Sequence, residues 1–270
     1  MSTPELGLII EPEELLPFLG KSEVLIIDIC QTQTYEQVHI PGAIHVPASS
    51  LVSGMKPATG KLPEKQKLTE LFSKIGYSKD KHIIVYDDEG GGWAGRFIWT
   101  LDIIGHKKYS YLNGGIHSWV KEGHPIDTST PRLIPADVNL VLDHSCRASK
   151  DQVMASINDE NIQIWDARSA EEYEGIKVTA QRVGHIPGAF NLDWLDTMDK
   201  TRNLRLFPKD KLREKLSAAG YQDGKQIITH CQTHHRSGLT YLIAKWLDIP
   251  VQAYDGSWSE WGNSPDTPIE

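Results

Sequence analysis

Cysteine is scarce in this chain: three residues, Cys30, Cys146 and Cys231, among 270. So small and odd a number excludes a disulfide framework, and no Cys-x-x-Cys pair is present for structural zinc or dithiol chemistry. Free thiols in a reducing cytoplasm are expected. Long apolar runs are missing too. Residues 1–16 have no basic start, and their longest apolar piece is Leu8–Ile10. Neither a signal peptide nor a membrane anchor is expected. Positive charge is in deficit, with 28 Lys and Arg against 36 Asp and Glu and a net charge of −8. With no basic run to offset it, a nucleic-acid partner is not expected. The remainder, 39% hydrophobic and 24% charged, suits a globular protein with one large core or two ordinary ones.

What is present is a duplication. His39-Ile40-Pro41-Gly42-Ala43 recurs as His185-Ile186-Pro187-Gly188-Ala189. Ahead of each lies an apolar run ending at an aspartate, Val24–Asp28 and Ile162–Asp166, and each has a Tyr-Glu pair, at 35–36 and 173–174. After each comes a second apolar run, His82–Asp87 and Gln226–Cys231. Near each end, Asn113-Gly114 to Trp119 matches Asp255-Gly256 to Trp261. Leu68–Ile75 and Lys209–Ala219 have helical spacing, and Pro12–Leu16 predicts a short helix stopped by Pro17. Strands alternating with helices predict an α/β chain of two domains, each a mainly parallel sheet flanked by helices on both faces. The expected division is a first domain at 1–126, a linker at 127–137 rich in Thr, Ser and Pro, and a second domain at 138–270. Ser149 is the expected N-cap of the second domain's first helix, with Gln152 completing a capping box.

The two copies differ where chemistry is expected. In the second, the strand runs into His230-Cys231-Gln232-Thr233-His234-His235-Arg236-Ser237-Gly238. A helix follows, with the stripe Leu239, Leu242, Ile243, Trp246 and Leu247. Cys231 therefore sits at the C-terminal end of a parallel strand and just before a helix N-terminus, where open α/β sheets bind ligands. The helix end favours a thiolate and attracts anions. His234, His235 and Arg236 add positive charge and donors. This context points to a nucleophile of lowered pKa; a structural cysteine would lie in an apolar run. In the first copy Asp87 stands in place of the cysteine, and Asp87-Asp88-Glu89 is expected to repel anions.

These features together resemble the tandem-domain rhodaneses, the thiosulfate:cyanide sulfurtransferase family, over nearly the whole chain. The motifs are the two His-Ile-Pro-Gly-Ala strings, Asp166-Ala167-Arg168, the Cys231–Arg236 loop and Tyr254-Asp255-Gly256-Ser257-Trp258. The loop Cys-Gln-Thr-His-His-Arg is similar to that of a bacterial branch. The resemblance implies that only the second domain is catalytic and that the first is structural. It implies a two-step reaction without a cofactor. The Cys231 thiolate takes the outer sulfur of thiosulfate as a persulfide, sulfite leaves, and a thiophilic acceptor such as cyanide removes the sulfur. Cys231 is then catalytic. Candidates for substrate binding are Arg236, Thr233 through its hydroxyl, Gln232, His234, His235 and Arg182, the last matching a basic family position that faces the pocket.

Some residues keep two readings. Arg236 either pins the anion or pairs with a neighbouring carboxylate. His234 and His235 are anion donors or loop-surface residues, and no third ligand is spaced to make them a metal site. Trp194 walls the pocket or is a core tryptophan. His39 and His185 belong to structural turns, Asp166 and Arg168 form a structural ion pair, and Cys30, at the position matching Arg168, and Cys146 are bystanders. Three other functions remain open. A 3-mercaptopyruvate sulfurtransferase would carry a more neutral, glycine-rich loop. A phosphatase would have five residues between Cys and Arg, where this loop has four. A persulfide carrier would donate to a protein partner through the same cysteine. A monomer is the default expectation.

Overall fold

The computed structural model describes residues 6–270; residues 1–5, part of the segment read above for a leader, lie outside the described residues. The chain forms two compact units. The first comprises residues up to 51, then 63–143 and 199–206; the second comprises 52–62, 144–198 and 207–270. The expected division at 127–137 differs from this. The segment up to Asp143 packs with the first unit, through Ala136 N–H to Ser73 O at 2.9 Å and Asp143 N–H to Ile103 O at 2.7 Å. Short segments also lie with the unit opposite to their place in the sequence. Backbone pairing, which composition does not register, decides the boundary.

In the first unit, strands β1 (Ile9–Ile10), β2 (Val24–Asp28), β3 (Ile44–His45), β4 (His82–Tyr86) and β5 (Tyr109–Leu112) form a parallel sheet in the order β1-β5-β4-β2-β3. Every residue of β2 and β4 is buried, the signature of a sheet covered on both faces. Val24, Ile26, Ile84 and Tyr86 face one core, with Leu15, Ile116 and Trp119. Leu25, Ile27, Ile83 and Val85 alternate to the other face and are buried there too.

The second unit repeats the plan with β6 (Ile162–Asp166), β7 (Phe190–Asn191), β8 (Gln226–His230) and β9 (Val251–Ala253), parallel throughout in the order β9-β8-β6-β7. An isolated parallel bridge, Arg147 with Ala253, stands where the first unit has β1. Ile164 and Ile228 pack there with Val153, Ile186, Trp258 and Trp261.

Helices begin where local chemistry starts them. Pro12–Leu15 is one α-helical turn that passes into a 3-10 turn over Pro17. The helix at 150–156 starts on Ser149, whose hydroxyl accepts from Gln152 N–H, while Gln152 Oε1 accepts from Ser149 N–H at 2.8 Å. Helices also form at Lys65–Lys74 and Lys209–Ala218.

The paired motifs serve the same local purpose in both units. Tyr35 stacks on His39 at 4.0 Å and Tyr173 on His185 at 3.7 Å. Each histidine Nδ1 meets its tyrosine's carbonyl, and each tyrosine hydroxyl donates to the motif alanine's carbonyl, Ala43 or Ala189. Gly42 and Gly188 take positive φ, 79° and 73°, at the turn between these contacts.

Candidate active site

Strand β8 delivers Cys231 to a loop that ends as the helix Arg236–Trp246 begins. The helix is held by its apolar stripe: Leu239, Leu242, Ile243 and Leu247 are buried, while Trp246 is half-buried under Lys209. The loop cannot drift from this anchor. Cys231 O accepts from Trp258 N–H at 2.9 Å, and Gln232 O accepts from Ser259 N–H at 3.0 Å. Gln232 Nε2 donates to Thr179 O at 2.9 Å, so Gln232 ties the loop to a neighbouring segment. His234 takes a left-handed backbone, φ 56°, which bends the chain inward.

The Cys231 sulfur is 1% exposed and surrounded by donors. The backbone amides of Thr233 and Ser237 point to it, and Ser237 Oγ donates to Sγ at 3.5 Å. His234 Nδ1 lies 2.7 Å from that same Ser237 oxygen. A hydroxyl that gives its hydrogen to sulfur accepts at its oxygen, so this geometry places a hydrogen on His234 Nδ1. Burial pushes the Cys231 thiol up, but the Arg236 charge, the Ser237 hydroxyl and the two amides outweigh it and hold the thiol below its usual value.

Arg236 is itself fixed by a carboxylate. Its Nη1 and Nη2 donate to Glu172 Oε2 and Oε1 at 2.5 and 2.9 Å, a bidentate pair with Glu172 3% exposed. Of the two readings for Arg236, the ion pair is the one with a partner in place. Its charge still acts on Cys231 through space. Glu172 caps its own helix through Ser169, and the Ser-x-x-Glu spacing was the available sequence signal for that residue.

Beneath the loop lies a buried charged floor. Arg168 donates from Nε and Nη2 to Asp166, at 3.0 and 2.6 Å, and from Nη2 to Gly184 O at 2.8 Å, and it stacks over Trp258 at 4.3 Å. Burial works against the Asp166 charge, yet His230 and Arg168 hold its carboxyl below the usual range. Burial pushes His230 down, against the pull of Asp166, and its Nδ1 lies 3.2 Å from Cys231 O.

Several expected roles change. Thr233 reaches the sulfur through its amide, and the hydroxyl at the sulfur is that of Ser237, the second residue of the helix. His234 is fully buried against Ser237, so it is not a loop-surface residue. His235 is half-buried, edge-on to Trp194 at 5.4 Å; Trp194 is 8% exposed, so it is both packed and beside the loop. Arg182 does not turn to the pocket. Its guanidinium donates to Trp261 O, Ser264 O and Thr267, so it is engaged by the C-terminal turn.

In the first unit the corresponding loop is filled by its own anion. Asp87 Oδ1 accepts from the amides of Glu89 and Gly91, at 3.1 and 2.8 Å, and Oδ2 from Ala94 at 2.9 Å. The expected repulsion of anions is thus only part of the picture: the amides are already engaged. Among the described residues one group of possible metal ligands, Glu13, Glu122 and His124, lies together in the first unit, and Glu122 there pairs with Arg205.

A family model described as "Rhodanese-like domain" matches twice, at residues 11–122 and 149–264. A thiosulfate sulfurtransferase of Pseudomonas aeruginosa is 45% identical over 267 residues, 98% of each chain. One of Azotobacter vinelandii is 46% identical over 266 residues, 98% of this chain and 97% of that one. Among solved structures, a 3-mercaptopyruvate sulfotransferase of Escherichia coli aligns with a TM-score of 0.82 at 27% identity, over 94% of this chain and 99% of that one.

Proposed function

The chain belongs to the rhodanese family, with two rhodanese-like domains, and from that premise we propose that Cys231 is the sulfur-carrying nucleophile of a thiosulfate sulfurtransferase. The enzyme class and main substrate follow from full-length relatives of that name. The observation that carries the residue assignment is the ring of donors around a buried sulfur with a lowered pKa.

The chemistry follows from that ring. The Cys231 thiolate attacks the outer sulfur of thiosulfate. The bond between that sulfur and the sulfonate breaks, and its electron pair leaves with sulfite. The persulfide anion that remains is one sulfur longer and carries the same single charge, so the amides of Thr233 and Ser237 and the Ser237 hydroxyl still face negative charge. Cyanide, or another thiophile, attacks the outer sulfur; thiocyanate leaves and the thiolate returns. Arg236 gives the approach a positive bias toward a dianion, and Gln232 and His235 add polar groups at the loop. Arg182 supports the C-terminal turn. No cofactor enters this scheme, and the persulfide is its only covalent intermediate.

The proposal extends to a reducing cytoplasm, supported by a small and odd number of cysteines, and to a monomer, since the duplication already pairs two like domains in one chain. No described helix is long and apolar enough to cross a membrane. The test is intact-mass spectrometry after thiosulfate, then after cyanide, beside Cys231→Ser. One added sulfur, removed by cyanide and absent in the variant, is the expected result. No added sulfur from thiosulfate, with one added from 3-mercaptopyruvate, would replace the donor. A loaded protein that reacts slowly with cyanide and fast with a protein thiol would make it a carrier.

A further inference from the structure

The segment 52–62 comes from the first half of the sequence and packs in the second unit. It is a closed turn, with Ser53 N–H to Lys61 O at 2.7 Å and Gly54 N–H to Thr59 O at 3.0 Å. Its tip at 54–57 is exposed, while Ala58 and Gly60 are buried. Its far end is fastened behind the Cys231 loop: Lys61 pairs with Glu260, and Leu62 N–H donates to Asp255 Oδ2 at 2.8 Å. Asp255 begins the stretch whose Ser257, Trp258 and Ser259 hold Cys231 and Gln232. Gly60 lies against Thr233 itself. A Cβ on Gly60 would fall 2.5 Å from the Thr233 carbonyl carbon and 2.8 Å from its Cα, and would overlap its oxygen. No positive φ asks for glycine at 60; only the closeness of the two backbones does.

We propose that Gly60 is a positioning residue for the sulfur site: by letting segment 52–62 touch the Thr233 backbone, it sets the height at which the Thr233 amide meets the Cys231 sulfur. The inference rests on the reading of Cys231 as the nucleophile. Thr233 has little room to yield. Its neighbour Gln232 is held at Thr179 and Ser259, and His234 on its other side is in the left-handed region. Pushing on Thr233 therefore moves its amide away from sulfur. The thiolate loses a donor, and the thiol titrates at higher pH.

Gly60→Ala in the full chain tests this by two readouts. The pH midpoint of Cys231 alkylation by iodoacetamide is expected to rise by about one unit, the worth of one hydrogen bond to a charged group. The rate of sulfur loading from thiosulfate at saturation is expected to fall about tenfold, with a smaller change in the concentration giving half-maximal rate. Met55→Ala, at the exposed tip, is expected to leave both unchanged. An unchanged midpoint in Gly60→Ala overturns the proposal. Alkylation needs no sulfur donor, so inertness toward thiosulfate alone counts against the functional reading and not against this one. If Gly60→Ala does not fold, Lys61→Met is read instead. That change frees the segment without adding bulk, and a midpoint that rises supports the proposal while one that stays overturns it.

Discussion

Two loops follow the same strand in the two halves, and they solve one electrostatic problem differently. After β4, Asp87 supplies a permanent carboxylate to the amides of Glu89, Gly91 and Ala94. After β8, Cys231 presents its sulfur to those of Thr233 and Ser237. Register from the cysteine puts Gly92 and Trp93 where the second loop has Arg236 and Ser237. The first loop is an anion cradle closed by its own carboxylate; the second holds a sulfur in the same place. The floors beneath differ in the same way. Asp28 and Asp166 end equivalent strands, but Cys30 replaces Arg168. Burial then pushes the Asp28 carboxyl up, against donation from Tyr86 and Cys30, while Asp166 is held down. Cys30 itself is pushed up by burial and by Asp28, so it is a poor nucleophile despite its thiol. Similar folds thus hold two different loops, and Arg168 and Arg236 stand at positions that the first copy fills with Cys30 and Gly92.

The sharpest way to break this contrast is to move the cysteine. Cys231→Ser is expected to lower sulfur transfer by at least about 10³-fold, as loss of a covalent nucleophile does. Adding Asp87→Cys to it is expected to restore nothing, with no persulfide by intact mass, since Asp88 and Glu89 follow the new thiol and Gly92 stands at the position of Arg236. Persulfide on the double variant would show that the fold alone activates a thiol.

Next in size is the pair of aspartates. Arg168→Met leaves a buried carboxylate unpaired and is expected to cost about 3–5 kcal/mol in denaturant unfolding. Asp28→Asn is expected to be neutral or stabilising at pH 7. The raised Asp28 pKa means its contribution is full below the unfolded value, about 3.9, and is lost as pH rises through the folded value. The lowered Asp166 pKa means the reverse: its stabilisation is present above about 3.9 and is lost as pH falls through the folded value. Unfolding midpoints of the two variants across pH 3–8 should therefore move in opposite directions.

Smaller effects sharpen the site itself. Arg236→Lys keeps the charge but loses the fork on Glu172, and kcat/KM for thiosulfate is expected to fall about tenfold, with the alkylation midpoint of Cys231 moving up. Ser237→Ala removes one weak donor and is expected to cost about threefold. A pH midpoint that fails to rise in either variant would mean that the amides alone set the thiolate.

The legible part of this protein was the part written locally. The duplicated turn, the capping box at Ser149 and the strand–loop–helix around Cys231 are each short stretches whose residue types declare their backbone. Arg236 was found because it lies in the same loop as the cysteine. Glu172, Ser257 and Gly60 were not, because they reach the loop only through tertiary folding. Ser237 was within reach of a closer reading: the hydroxyl of a helix's first turn commonly turns back to the loop before it. The place of Arg182 before a motif points to the pocket, yet carbonyls distant in sequence, at Trp261 and Thr267, accept its hydrogens instead. The division of the chain escaped composition for a similar reason, since backbone pairing drew residues 138–143 to the first unit.

The recess of Cys231, at 1% exposure, makes the reactive atom a matter of reach. Before loading, Cys231 shows the surroundings almost none of itself. On the proposed mechanism, loading would extend the side chain by one S–S bond, about 2.05 Å. The cargo would then be its own signal of readiness: an acceptor would find more to touch only after a donor had been there.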